Sequence, residues 1–101
     1  MSKFGAPKSR GRAGLLSSGV KTQDTQIKSG GGLVHWVTLS ATAASVVGLA
    51  DAVGNSTTYV EKFTLPSDGY AHYILDPPLE FATGIWLDVV SGTCDVIVGY
   101  I

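Results

Sequence analysis

From Val20 onward, apolar positions fall in short runs that alternate with polar ones at a period of two, and no period of 3.6 lasts beyond a turn or two. The runs cover residues 20–27, 33–41, 45–52, 58–65, 70–76, 84–90 and 94–101. Between them stand turn residues: Gly54 and Asn55, then Pro66, Ser67, Asp68 and Gly69, then Pro77 and Pro78, and last Ser91, Gly92 and Thr93. Strand runs at this spacing, with no helix to carry a parallel crossover, predict an all-β fold, a small antiparallel β-sandwich of jelly-roll-like type.

Alternation also assigns faces. Ile85, Leu87 and Val89 skip Asp88, and Val96, Val98 and Tyr100 follow Asp95 in the same rhythm, so these two runs read as a hairpin with one face inward. Tyr59, Phe63 and Leu65 share a second apolar face, on which Glu61 is out of place. Residues 70–76 are apolar on both sides. Trp36, Trp86, Ile97 and Ile101 fall opposite the core positions. Surplus apolar faces call for a second layer or another subunit, and these four residues are the candidate subunit interface.

Residues 1–19 break the pattern. Their large apolar side chains are Phe4, Leu15 and Leu16, set among Gly, Ser, Lys and Arg. Such a stretch buries too little to offset the entropy of being ordered, and reads as an extended basic arm ahead of a body over residues 20–101. Nineteen extended residues at about 3.3 Å each reach on the order of 60 Å.

Charge sharpens that division. The net charge of −1 hides a basic first part, where Lys3, Lys8, Arg10, Arg12, Lys21 and Lys28 face Asp24 alone. Residues 31–101 hold Lys62 against seven acids. Asymmetry of this kind marks a segment with a partner. Nucleic acid is not the expected partner, because an acidic body repels a phosphate backbone. Apolar residues make up 45% and charged ones 15%, so much of the surface is neutral, small or covered. A body this small gains only a few kcal/mol from one core, and small domains often add disulfides, metals or oligomerisation. Cys94 has no second cysteine to pair with, so a homo-oligomer, dimer or trimer, is expected.

No signal-peptide core follows Lys3, Lys8, Arg10 and Arg12, and the apolar stretch 33–50 contains His35, Thr38, Ser40, Thr42 and Ser45 before Asp51. It reads as soluble strand sequence, and no membrane partner is expected.

His35 and His72 lie mid-strand and would need further ligands to hold a metal; they read as strand histidines satisfied by local hydrogen bonds. The carboxylates are isolated in sequence and read as solvated strand face or turn. Gly30, Gly31 and Gly32 lack the lysine and helix of a phosphate loop and read as a hinge between arm and body. Asn55, Ser56 and Thr57 match a glycosylation acceptor, but read as a polar hairpin loop. Trp36, Trp86, Tyr59, Tyr70, Tyr73 and Tyr100 could stack against bases or sugars, yet they are spread over every run, which favours core and interface. No nucleophile, base and orienter set assembles, so no enzyme, cofactor or metal is expected.

Residues 25–30 (Thr25, Gln26, Ile27, Lys28, Ser29, Gly30), then 32–39 from Gly32 to Leu39, then 79–92 from Leu79 to Gly92 and 94–100 from Cys94 to Tyr100 form a recognisable set. A strand, a Ser-Gly turn and a second strand open it. A Thr-Gly turn, an apolar strand, a Ser-Gly-Thr turn and a last strand ending in Tyr close it. Over about residues 20 to 101 this resembles small all-β structural proteins of tailed bacteriophages; the arm has no counterpart. The resemblance implies a virion protein, a capsid decoration or cement protein that binds the major capsid protein on the outer face of the head. The arm residues Lys3, Phe4, Lys8, Arg10, Arg12, Leu15 and Leu16 would tie neighbouring capsid subunits. A tail, neck or fibre subunit, or a carbohydrate-binding surface module, are the alternatives.

Overall fold

The computed structural model describes residues 15–101, folded as eight strands: β1 (Leu16–Ser17), β2 (Thr25–Ser29), β3 (Gly32–Ala41), β4 (Ser45–Asp51), β5 (Tyr59–Leu65), β6 (Tyr70–Phe81), β7 (Gly84–Ser91) and β8 (Cys94–Tyr100). The described residues contain no helix. Two four-stranded sheets form, one ordered β1-β8-β3-β6 and the other β2-β7-β4-β5, with antiparallel pairing throughout. Each strand of the first half pairs with its counterpart counted from the other end, β1 with β8 through β4 with β5. Only β4 and β5 are both consecutive and paired; every other connection crosses from one sheet to the other.

The core is the seam between the sheets. Val34, Val37, Leu39, Val96 and Val98 of the first sheet meet Val47, Leu49, Ile85 and Leu87 of the second, all without exposed surface. Burying a side chain of this type stabilises the fold by about 1.5–3 kcal/mol. At the β5/β6 side, the rings of Phe63 and Tyr73 stack with centroids 5.0 Å apart and close the gap between the two edge strands. At the opposite side, Lys21 exchanges two backbone hydrogen bonds of 2.8 Å with Val96. The expected run 20–27 thus resolves into an isolated bridge at Lys21 and the strand β2, which begins at Thr25.

Four expectations change. The runs 84–90 and 94–101 do not form a hairpin: both point inward as expected, but β7 and β8 belong to different sheets and face each other across the core. Period-two alternation fixes the inward face and is silent on the hydrogen-bonding partner. Pro77 and Pro78 are not a turn but lie within β6. That strand is an edge of its sheet, where a missing N–H is tolerated. Opposite them β3 advances only from Val34 to Trp36 while β6 runs from Ile74 to Leu79, so residues 75–78 bulge out. The glycines at 30–32 join β2 to β3 within the body, and Gly30 N–H donates to Thr83 O at 3.0 Å; they are not an arm hinge. Last, Tyr59 does not share the inward face of Phe63 and Leu65. A register shift between Leu49 and Ala50 turns it to the outer face and leaves Glu61 exposed. The polar loop holding Asn55, Ser56 and Thr57 does join a hairpin, that of β4 and β5.

Of the expected arm, residues 1–14 lie outside the described residues, and with them Lys3, Phe4, Lys8, Arg10 and Arg12. Residues 15–19 are described. Leu16 and Ser17 pair with Tyr100 and Gly99 as β1, and Ser18 both donates from its amide to Val98 O and accepts the Val98 N–H on its hydroxyl, each at 2.9 Å.

Candidate functional site

The two outer faces of the sandwich differ in kind. On the β2-β7-β4-β5 sheet, cross-strand register places Gln26, Trp86, Ala50 and Tyr59 in one row, and Asp88, Gly48 and Lys62 in the next. The small residues of β4 are covered by their neighbours' rings. A Cβ on Gly48 would overlap the Tyr59 ring, and Ala50 has no exposed surface. The Tyr59 hydroxyl donates to the Asp88 carboxylate, which is only 7% exposed, and the Lys62 ammonium stands 5.8 Å from the centre of the Tyr59 ring. The hydrogen bond to Asp88, with burial and the negative charge nearby, pushes the Tyr59 pKa up to about 12. This face is sealed by its own side chains.

Gln26 holds one end of it. Its amide nitrogen donates to the carbonyls of Lys28, Ala52 and Ile85 at 2.9–3.0 Å, and its oxygen accepts from Gly54 N–H at 2.7 Å. Asp51 accepts the backbone N–H groups of Ala82, Thr83 and Gly84 between β6 and β7, which holds its carboxyl below the usual carboxylate range. Asp24 accepts Val89 N–H at 2.8 Å. Asp88, nearly buried, corrects the reading of the carboxylates as solvated strand face or turn, whereas Asp24 and Asp51 fit it and also each accept named backbone donors.

The outer face of the β1-β8-β3-β6 sheet is open. Its rows are Gly99, Trp36 and Ile74; Ile97, Thr38 and His72; and Asp95, Ser40 and Tyr70. Trp36 lies against Gly99, where any Cβ would collide with the indole. Ile74 is 75% and Tyr70 70% exposed. Ile101 exchanges backbone hydrogen bonds with Leu33 beyond the bulge and is 41% exposed. Of the four candidate interface residues, Trp36 and Ile97 thus belong to this sheet, in adjacent outer rows, and Ile101 follows the end of β8. Trp86 belongs to the opposite sheet, half-buried beside Ala50.

At the β3/β6 bulge the open face dips into a groove of about 500 Å³ whose lining includes Leu15, His35, Trp36, His72, Ile74 and Asp76. The bulge puts two residues, His35 and Trp36, between the inward-facing Val34 and Val37, where strict alternation allows one. His72 shares a 2.7 Å hydrogen bond with Thr38, as expected of a strand histidine. His35 departs from that expectation, because its Nε2 is buried with no partner among the described residues. An unmet buried polar atom costs about 1–3 kcal/mol. The described residues hold no group of three or more His, Cys, Asp or Glu placed to bind a metal. Cys94 is buried, and burial pushes its thiol pKa up, away from nucleophilic use.

The positions that sequence reasoning missed are Ile74 and Tyr70, the most exposed large apolar residues here. Their signal was present in the two-sided apolar pattern of residues 70–76. No protein-family model matches the chain, and neither curated proteins nor solved structures give a match.

Proposed function

We propose that this chain is a structural virion protein, a capsid decoration or cement protein. In this reading it binds the major capsid protein on the outer surface of a phage head as a homo-oligomer, dimer or trimer. The observation that carries the reading is the contrast between faces: one outer face has Tyr59, Trp86 and Asp88 packed over β4, while the other presents the strongly exposed Ile74 and Tyr70 on its edge strand, with the half-buried Trp36 and Ile97 further in. An exposed apolar patch on a small acidic body, with no catalytic set beside it, suits a protein that works by being covered. Pairing of β1 with β8, β2 with β7, β3 with β6 and β4 with β5 supports the jelly-roll form of sandwich.

In this reading the open face packs on the shell, and the arm ahead of β1 ties adjacent capsid subunits through Lys3, Phe4, Lys8, Arg10 and Arg12, with the exposed Leu15 and Leu16 at its root. Binding only to the assembled shell stabilises that state by mass action. Charge complementarity guides the basic arm to acidic surface.

The test mixes the purified full chain with capsids that lack it and pellets them. Cosedimentation at a fixed ratio to the major capsid protein supports the reading. Folded chain left in the supernatant contradicts it and turns attention to the tail, neck or fibre.

A further inference from the structure

We infer that two copies of this chain join edge to edge through β6, in antiparallel pairing centred on His72. The inference builds on the homo-oligomer in the reading above and does not depend on capsid binding.

β6 is the edge strand of the open sheet, so among the described residues one side of its backbone has no strand to bond. Natural edges are blunted by charge, proline or shortness. β6 has 12 residues, and from Tyr70 to Leu75 it has neither proline nor Lys, Arg, Asp or Glu. The protection begins only at Asp76, Pro77 and Pro78, where the strand bulges. What satisfies such an edge is another β-strand, and the side chains select a second copy.

Opposed residues of an antiparallel pair share a face, so self-pairing about His72 sets Tyr70 of one copy against the partner's Ile74, and the reverse. Tyr70 and Ile74 have the greatest exposure of the large apolar side chains described, at 70% and 75%. They lie on one face, four residues apart, with His72 midway. An aromatic against a β-branched side chain is a favourable cross-strand pair. No like charges meet between residues 70 and 74. Asp68 would approach the partner's Asp76 just beyond, which confines the ladder to this stretch and makes the dimer tighter in salt. The product is one continuous eight-stranded sheet in which the Ile97, Thr38 and His72 rows of both copies join end to end across the dyad, while each Trp36 row continues into the other copy's Tyr70, Ser40 and Asp95 row.

The experiment measures the mass of the full chain by light scattering over a range of concentrations, without capsids. Twice 10.5 kDa is expected at high concentration, falling on dilution. Ile74→Lys and Tyr70→Lys should each return the mass to 10.5 kDa with an unchanged circular dichroism spectrum. Two variants are used so that if one fails to fold the other still decides. His72→Cys should crosslink under mild oxidation, because residues opposed at the dyad have Cα atoms about 5 Å apart, within disulfide range. A mass of 10.5 kDa for the unaltered chain at every concentration overturns the proposal. So does a dimer that survives both lysine variants, or one in which His72→Cys fails to crosslink. None of these outcomes bears on cosedimentation, which judges the capsid reading separately.

Discussion

Tyr59 on β5 donates a hydrogen bond to Asp88 on β7, although β4 lies between those strands. The phenol crosses β4 at Gly48, the one residue type that leaves room for the ring. Three strands are thereby tied on their outer side, and a nearly buried carboxylate receives its donor.

The bond sets an alkaline limit. Folding raises the Tyr59 pKa from its ordinary 10.0 to about 12, so the folded chain holds the phenol proton more tightly than the unfolded chain does. The stabilisation is full below pH 10 and is lost as pH rises through 12. Phenolate absorbance during titration should show one tyrosine ionising late. Tyr59→Phe should abolish that step and lower the melting temperature at neutral pH, since Asp88 then loses its donor.

Asp51 should set the acid side. Its carboxyl is held below the ordinary 3.8 by three backbone N–H groups, so its stabilisation is present above that pH and disappears as pH falls through the lower folded value. Asp51→Asn should flatten the acid limb of a melting-temperature profile between pH 2 and 5, a window of about that width for a depressed carboxylate. An unchanged limb would contradict the role given to the β6–β7 connection.

The opposite sheets of Trp86 and Ile97 predict opposite phenotypes. Trp86→Ala opens the sealed face and should cost about 0.5–3 kcal/mol in chemical denaturation without changing attachment. Ile97→Asp lies on the open face and should fold normally but lose attachment. Equal effects of the two substitutions on attachment would show that the faces are not distinct.

Truncation separates arm from body. Removing residues 1–14 should leave the melting temperature unchanged and weaken capsid binding. Removing residues 1–19 also deletes β1 and the Ser18 bonds to Val98, uncovers the β8 edge, and should lower the melting temperature as well.

Much of this was legible in the chain. The inward faces of residues 85–89 and 96–98 followed from alternation, because a half-buried strand can satisfy that pattern in only one orientation. The partner sheet was not legible, since a short turn can as well lift the chain across a sandwich as fold it back. Two breaks in rhythm mark irregular positions of the fold. The spacing of three between Val34 and Val37 marks the His35 bulge that opens the groove. Glu61 out of place marks the register shift that turns Tyr59 outward to Asp88. Pro77 and Pro78 misled because a proline pair reads as a turn unless the strand is known to be an edge.

The central claim is that the Trp36 and Ile97 face of the open sheet holds the chain on a shell. The most direct measurement is how much chain pellets with capsids that lack it, for the unaltered protein and Ile97→Asp side by side. The account predicts a fixed ratio per capsid subunit for the first and loss of pelleting for the second, both remaining folded. Equal pelleting of the two, or none of either, would contradict it.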